Sequence, residues 1–242
     1  MTFNPSAKIG DLVLELPAAM RVFEGLNIDY CCGGHRSLAE ACTLAGKNPA
    51  EVILALEALQ ATAPAPTDPK VWAEAPLAAL AEHIETTHHV FTREELARVA
   101  PLMEKVVRVH GANHPELIRL EQCFQAMRAD LLPHLEKEEQ VLFPFIRGMA
   151  SPSGGAAGCF GAVANPVRAM QAEHEAVGDI LREIRILTRD FTAPEDACGS
   201  FRSLYLGLQA LEEDLHLHIY LESHLLFPRA VALEEAAAGL LG

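Results

Sequence analysis

The chain has 242 residues, half of them hydrophobic, enough for one large domain and one small one. Its 19 Lys and Arg against 33 Asp and Glu give a net charge of −14, so phosphate backbones and anionic lipid headgroups are repelled, and neither nucleic acid nor a membrane is an expected partner. No stretch reads as a spanning helix or a signal peptide, which predicts a cytoplasmic protein whose six cysteines are thiols or metal ligands rather than disulfides.

Short helical patterns come first, over 12–16, 17–26, 37–45 and 49–60, with Ser37 and Asn48 as N-caps. Among them stands Cys31-Cys32-Gly33-Gly34. Adjacent cysteines do not chelate as a C-x-x-C pair does, and a vicinal disulfide is strained, so the pair does not read as a zinc half-site. His35, Arg36 and a helix start near Ser37 are expected to lower a thiol pKa, making Cys31 and Cys32 candidate redox or iron-handing thiols. The alternative is that they pack as small hydrophobes. Cys42, Cys123, Cys159 and Cys198 carry no signal beyond packing.

Residues 61–69 hold three prolines and no large apolar residue, the composition of an extended linker. The predicted domains are therefore 1–60 and 70–242, with 61–69 between them. Beyond the linker, helices are predicted over 76–100, 115–147, 166–189 and 196–226, with an unusually long glycine-rich connection at 148–164. Strand alternation is hard to find, so the class is all-α: a small helical domain followed by an up-down four-helix bundle.

The pattern H-x-x-x-E-x-x-x-L-F-P occurs twice, from His134 to Pro144 and from His218 to Pro228. Helical spacing puts Leu120, Phe124, Met127, Leu131, His134, Glu138 and Val141 on one stripe. Leu204, Leu208, Leu211, Leu215, His218, Glu222 and Leu225 form the equivalent stripe, as do Met170, His174, Val177, Leu181 and Ile184 on the third helix. Polar groups have taken core positions on three helices. A carboxylate in an apolar core costs several kcal/mol or takes up a proton, so two of them beside imidazoles call for cations. Two His and one carboxylate per metal suit non-haem iron, the absence of thiolates from the stripes argues against structural zinc, and Glu138 and Glu222 are candidate bridges.

On the first helix, Leu77, Leu80, Ile84, His88 and Phe91 make a stripe that faces His88 inward, whereas the offset of 85 residues from His89 to His174, close to the 84 from His134 to His218, favours His89. Periodicity does not choose between them. His83, His110, His114, His216 and His224 lie off the stripes and read as surface or supporting residues.

Asp29-Tyr30-Cys31-Cys32-Gly33-Gly34 followed by Ser37-Leu38 and Ala41-Cys42 resembles the N-terminal signature of the iron-sulfur cluster repair di-iron proteins, the RIC family. The likeness continues through His88-His89-Val90-Phe91-Thr92-Arg93-Glu94, both His-Glu-Leu-Phe-Pro patterns and Met170-Gln171-Ala172-Glu173-His174, covering nearly the whole chain. The sequence departs from the family pattern in its longer glycine-rich 148–164 stretch and in His35. The resemblance implies a hemerythrin-like bundle holding two iron ions, oxo- or hydroxo-bridged, through His89, His134, Glu138, His174, His218 and Glu222. It also implies repair of iron-sulfur proteins whose clusters were damaged by nitric oxide or oxidants. A di-iron nitric oxide reductase or scavenger is the alternative, and an oxygen-binding module ranks last because it gives the cysteine domain no task. A homodimer is left open.

Overall fold

The computed structural model describes residues 3–16, 18–59, 69–150 and 161–239. Residues 61–68 of the expected linker and 151–160 of the glycine-rich connection, Cys159 included, lie outside the described residues. The described residues are 78% helical, with no strand among them, so the class is all-α. No helix among them is long and apolar enough to cross a membrane. They fall into two compact units, one of residues 1–80 with 216–242 and one of residues 81–215.

In chain order the helices are α1 (Ile9–Glu15), α2 (Ala19–Gly25), α3 (Leu38–Leu44), α4 (Pro49–Leu59), α5 (Lys70–Ala73), α6 (Leu77–His83) and α7 (Val90–His110). They continue as α8 (Glu116–Lys137), α9 (Phe143–Met149), α10 (Ala164–Leu187), α11 (Gly199–Tyr220) and α12 (Phe227–Gly239). Three widened turns interrupt them: π1 (Ile84–His89), π2 (Glu138–Leu142) and π3 (Leu221–Leu226).

In the 81–215 unit, α7, α8, α10 and the first part of α11 share one core that includes Val99, Leu120, Phe124, Leu181, Leu204 and Leu208. Each such side chain taken from water contributes about 1.5–3 kcal/mol, which the heptad-like spacing concentrates on one face per helix. This burial also explains why α7 continues past Pro101, where the sequence suggested an end near residue 100. The proline removes one hydrogen bond at about 3 kcal/mol, and Leu96, Val99, Met103 and Val106, buried on either side of it, offset the loss.

The π turns have local causes. Pro144 and Pro228 have no N–H to give the carbonyl four residues back, so the ladder ahead of each widens, which yields π2 and π3. In π1 the Thr86 hydroxyl donates to Glu82 O at 2.7 Å and competes for the same ladder. Widening shifts the buried face by about one position. Val141, expected in the stripe, is 44% exposed, and Leu142 is buried in its place. The same effect buries both His88 and His89, a pair that regular helical spacing would separate.

The other unit is built on the N-terminal helices. Ser37 accepts from Glu40 N while the Glu40 carboxylate accepts from Ser37 N, a reciprocal cap on α3, and Asn48 accepts from Ala50 N at 3.0 Å ahead of α4. Ile9, Val13, Phe23, Tyr30, Leu38 and Leu56 form its interior. Residues 216–226 belong to this unit and pack on the cysteine segment: Tyr220 donates to Gly10 O at 2.9 Å, its ring lies 6.1 Å from that of Tyr30, and His224 Nε2 donates to Cys31 O at 2.8 Å.

Gly33 and Gly34 permit that approach. A Cβ at Gly33 would lie 2.6 Å from Asp29 O, and one at Gly34 would lie 2.5 Å from Tyr30 O and run into the His224 ring. Gly34→Ala is therefore expected to destabilise the chain by about 1–3 kcal/mol, seen as a lower urea midpoint. An unchanged midpoint would show that the contact relaxes freely.

Candidate metal centre

Four of the six residues expected to bind metal lie in the 81–215 unit, and the structure brings them together. His89 ends π1, His134 lies in the last turn of α8, Glu138 opens π2 and His174 sits on α10; all four are buried. His89 Nε2 and His134 Nε2 each lie 3.4 Å from the same oxygen, Glu138 Oε2, and His174 Nε2 is 3.1 Å from His134 Nε2. The remaining two meet in the other unit, where His218 Nε2 stands 3.0 Å from Glu222 Oε1, again with both side chains buried. His88 turns elsewhere, its Nδ1 lying 2.9 Å from Asp214 Oδ1.

The outer edges of two imidazoles are held by carboxylates. His89 Nδ1 meets Glu139 Oε1 at 2.8 Å and His134 Nδ1 meets Glu173 Oε2 at 2.8 Å. Arg93 binds Glu139 at 2.6 and 3.0 Å, and Lys137 binds Glu173 at 2.5 Å. Burial pushes the Glu139 and Glu173 carboxyls up, but the hydrogen bonds from Arg93 and His89, and from Lys137 and His134, outweigh it and hold both below the ordinary value. Each is thus an anion at neutral pH and an acceptor for an Nδ1–H. That assigns the tautomer of His89 and His134 and leaves the Nε2 lone pair of each facing the Glu138 carboxylate.

Two lone pairs aimed at a buried carboxylate repel it unless a cation lies among them. The donor set therefore fits a metal ion, and the carboxylate–imidazole pairs behind it match the outer supports that orient metal-binding histidines. The Phe143 ring, from the repeated Leu-Phe-Pro motif, stacks on His89 at 5.5 Å and fixes its plane. Glu139, Glu173 and Phe143 were missed from the sequence, although each adjoins a motif position: Glu139 follows Glu138, Glu173 precedes His174, and Phe143 belongs to the repeat itself.

The cysteines differ from expectation. The Cys31 thiol is not lowered by the neighbouring basic residues; its hydrogen bond with Cys32, then burial, then the nearby charges of Cys32 and Asp29 push it well above its ordinary value. Cys198, expected only to pack, is exposed just before α11, with His110 Nε2 3.3 Å from its sulfur. The backbone N–H of Phe201, then His110 and the N–H of Ser200, lower it to about 7. Iodoacetamide labelling at Cys198 should rise with a midpoint near that pH and outpace Cys31, Cys42 and Cys123, as followed by peptide mass spectrometry. Labelling that rises only near the ordinary value of 9.0 would contradict the assignment.

Buried His and Glu side chains carried at core positions of a helical bundle define a hemerythrin-type cation-binding protein, and the Hemerythrin HHE cation binding domain matches residues 80–230. Residues 5–60 match a Domain of Unknown function (DUF542). The chain is 37% identical over 229 residues to the iron-sulfur cluster repair protein YtfE of Cronobacter sakazakii, covering 94% of this chain and 97% of that protein. It is 38% identical over 225 residues to the proteins of the same name from Yersinia pseudotuberculosis and Yersinia pestis, covering 92% of this chain and 96% of each. The chain belongs to the YtfE family of iron-sulfur cluster repair proteins.

Proposed function

We propose that this chain is a di-iron protein that restores iron-sulfur clusters damaged by nitrosative or oxidative stress, and that it does so by supplying iron. His89, His134, His174 and His218 would be terminal ligands and Glu138 and Glu222 bridging ones, giving each of two irons two imidazoles and a shared carboxylate pair. The centre, when loaded, supplies exchangeable ferrous iron to a vacant cluster position.

The reading is carried by one observation: Glu138 Oε2 is equidistant, at 3.4 Å, from the Nε2 atoms of His89 and His134. A carboxylate placed between imidazoles from separate helical segments suits a bridge rather than a terminal ligand. The chain's own residues have two tasks. Glu139 and Glu173 keep Nδ1 protonated and Nε2 available, and Arg93 and Lys137 keep those carboxylates ionised at neutral pH.

The test is anaerobic incubation of the iron-57-loaded chain with an apo iron-sulfur enzyme, following label transfer, regained activity and evolved gas after addition of nitric oxide. Repair predicts label in the client and recovered activity. Nitrous oxide evolution with no label transfer would replace repair by nitric oxide reduction at the same centre.

A further inference from the structure

The geometry points to a second metal site, separate from the His and Glu ligands: Asp29, Cys31 and Cys32 form a mononuclear site for a thiophilic divalent cation. Their ligand atoms all lie within 4.8 Å of one another. Cys31 Sγ is 3.9 Å from Cys32 Sγ and 3.3 Å from Asp29 Oδ1. A disulfide needs about 2.05 Å between sulfurs, whereas two thiolates about 2.3 Å from one tetrahedral ion stand about 3.8 Å apart. The observed 3.9 Å, spanned here by an S–H···S hydrogen bond, is compatible with that chelating spacing and too long for a disulfide.

Adjacency argued against chelation in the sequence, since neighbouring side chains diverge on extended or helical backbone. The turn removes the objection. Asp29 Oδ1 accepts from Cys32 N at 2.9 Å and from Gly33 N at 3.1 Å, which folds the segment back over its own carboxylate. Gly33 and Gly34 have no Cβ to obstruct that fold, and His224 anchors the Cys31 carbonyl from the other side. Both sulfurs and the carboxylate are left close enough to share one ion.

The electrostatics point the same way. Three groups able to carry negative charge converge, and the proximity of Cys32, burial and Asp29 all disfavour the Cys31 thiolate. A dication offsets the charge repulsion and takes the place of the thiol protons. Cys31 is buried while Cys32 and Asp29 are partly exposed, and three protein donors leave a fourth tetrahedral position open to an incoming or leaving ligand. A site of that kind exchanges its metal rather than storing it. In naming ferrous iron as the working occupant, the inference rests on the repair reading; binding itself does not.

The test uses the full chain, with its His and Glu centre already loaded with iron, titrated anaerobically with cobalt(II). One equivalent should bind with a near-ultraviolet thiolate-to-cobalt band. The band should vanish in Cys31→Ser and Cys32→Ser, and cobalt affinity should fall at least tenfold in Asp29→Asn, whose amide oxygen still accepts the two backbone N–H groups and keeps the turn. Iron content should be unchanged in all three. Absence of the band in the wild-type chain, or its survival in Cys32→Ser or with unaltered affinity in Asp29→Asn, would overturn the site. The two readings fail separately: a cobalt band in a chain that delivers no iron to a client sinks the repair reading and leaves the site standing, and iron delivery without a cobalt band does the reverse.

Discussion

Glu138→Ala is expected to strip most of the iron from the purified chain, lowering metal affinity by more than about 100-fold. Loss of a supporting carboxylate already costs about 10–100-fold, and Glu138 stands directly against two imidazoles. The metal-free variant should nevertheless fold, and its thermal midpoint should equal or exceed that of the metal-free wild type, because a fully buried carboxylate has been replaced by a small apolar side chain. Iron analysis and a melt of the chelated protein read the two effects apart. Iron retained at the wild-type level would show that Glu138 is not a ligand, whereas a large fall in apo stability would make it a structural residue.

The second large effect is expected from the carboxylates behind the imidazoles. Glu139→Gln and Glu173→Gln should each reduce metal affinity about 10–100-fold, measured by competition with a chelator, while leaving the six nearest side chains in place. Glutamine still accepts from Nδ1–H, so ring orientation survives; what is lost is the negative charge that raises the basicity of Nε2. The free chain should lose little stability, since both carboxylates are partly exposed and their ion pairs with Arg93 and Lys137 are of the kind worth about 0–1 kcal/mol. Equal affinities in wild type and both variants would remove these residues from the account of the centre.

Much of this arrangement was legible in the sequence because its signals are periodic. The stripes through Leu120, Leu181 and Leu208 and the His and Glu positions of the duplicated pattern depend only on helical spacing, and those side chains are buried as expected, as are the Leu and Phe of both patterns. Spacing failed where the helix is not regular. The exposure of Val141 and the joint burial of His88 and His89 follow from π2 and π1, and a 3.6-residue period has no means of anticipating a wider turn. Pro144, inside the helix expected over 115–147, and Pro228, just past the one expected over 196–226, were the available cue, but neither was read as the cause of a widened turn ahead of it.

Charged residues outside the stripes were harder still. Glu139 and Glu173 look like ordinary solvent-facing glutamates, and only the folded chain shows that His89 and His134 turn their Nδ1 atoms toward them. For the cysteine segment, composition suggested a lowered thiol pKa because His35 and Arg36 follow at once. Burial, with Cys32 and Asp29 alongside, decides the opposite for Cys31. Proximity in sequence ranked the wrong charges first.

Six histidine and glutamate side chains are proposed to hold two irons. Their role is tested most directly by the iron-to-protein ratio of the anaerobically reconstituted chain, with iron-57 Mössbauer spectra of the same sample. The account predicts about two irons per chain in a single coupled pair, with the ratio falling in Glu138→Ala and Glu222→Ala but not in His216→Ala. One tightly bound zinc with no iron uptake, or two uncoupled irons that survive both glutamate substitutions, would contradict it.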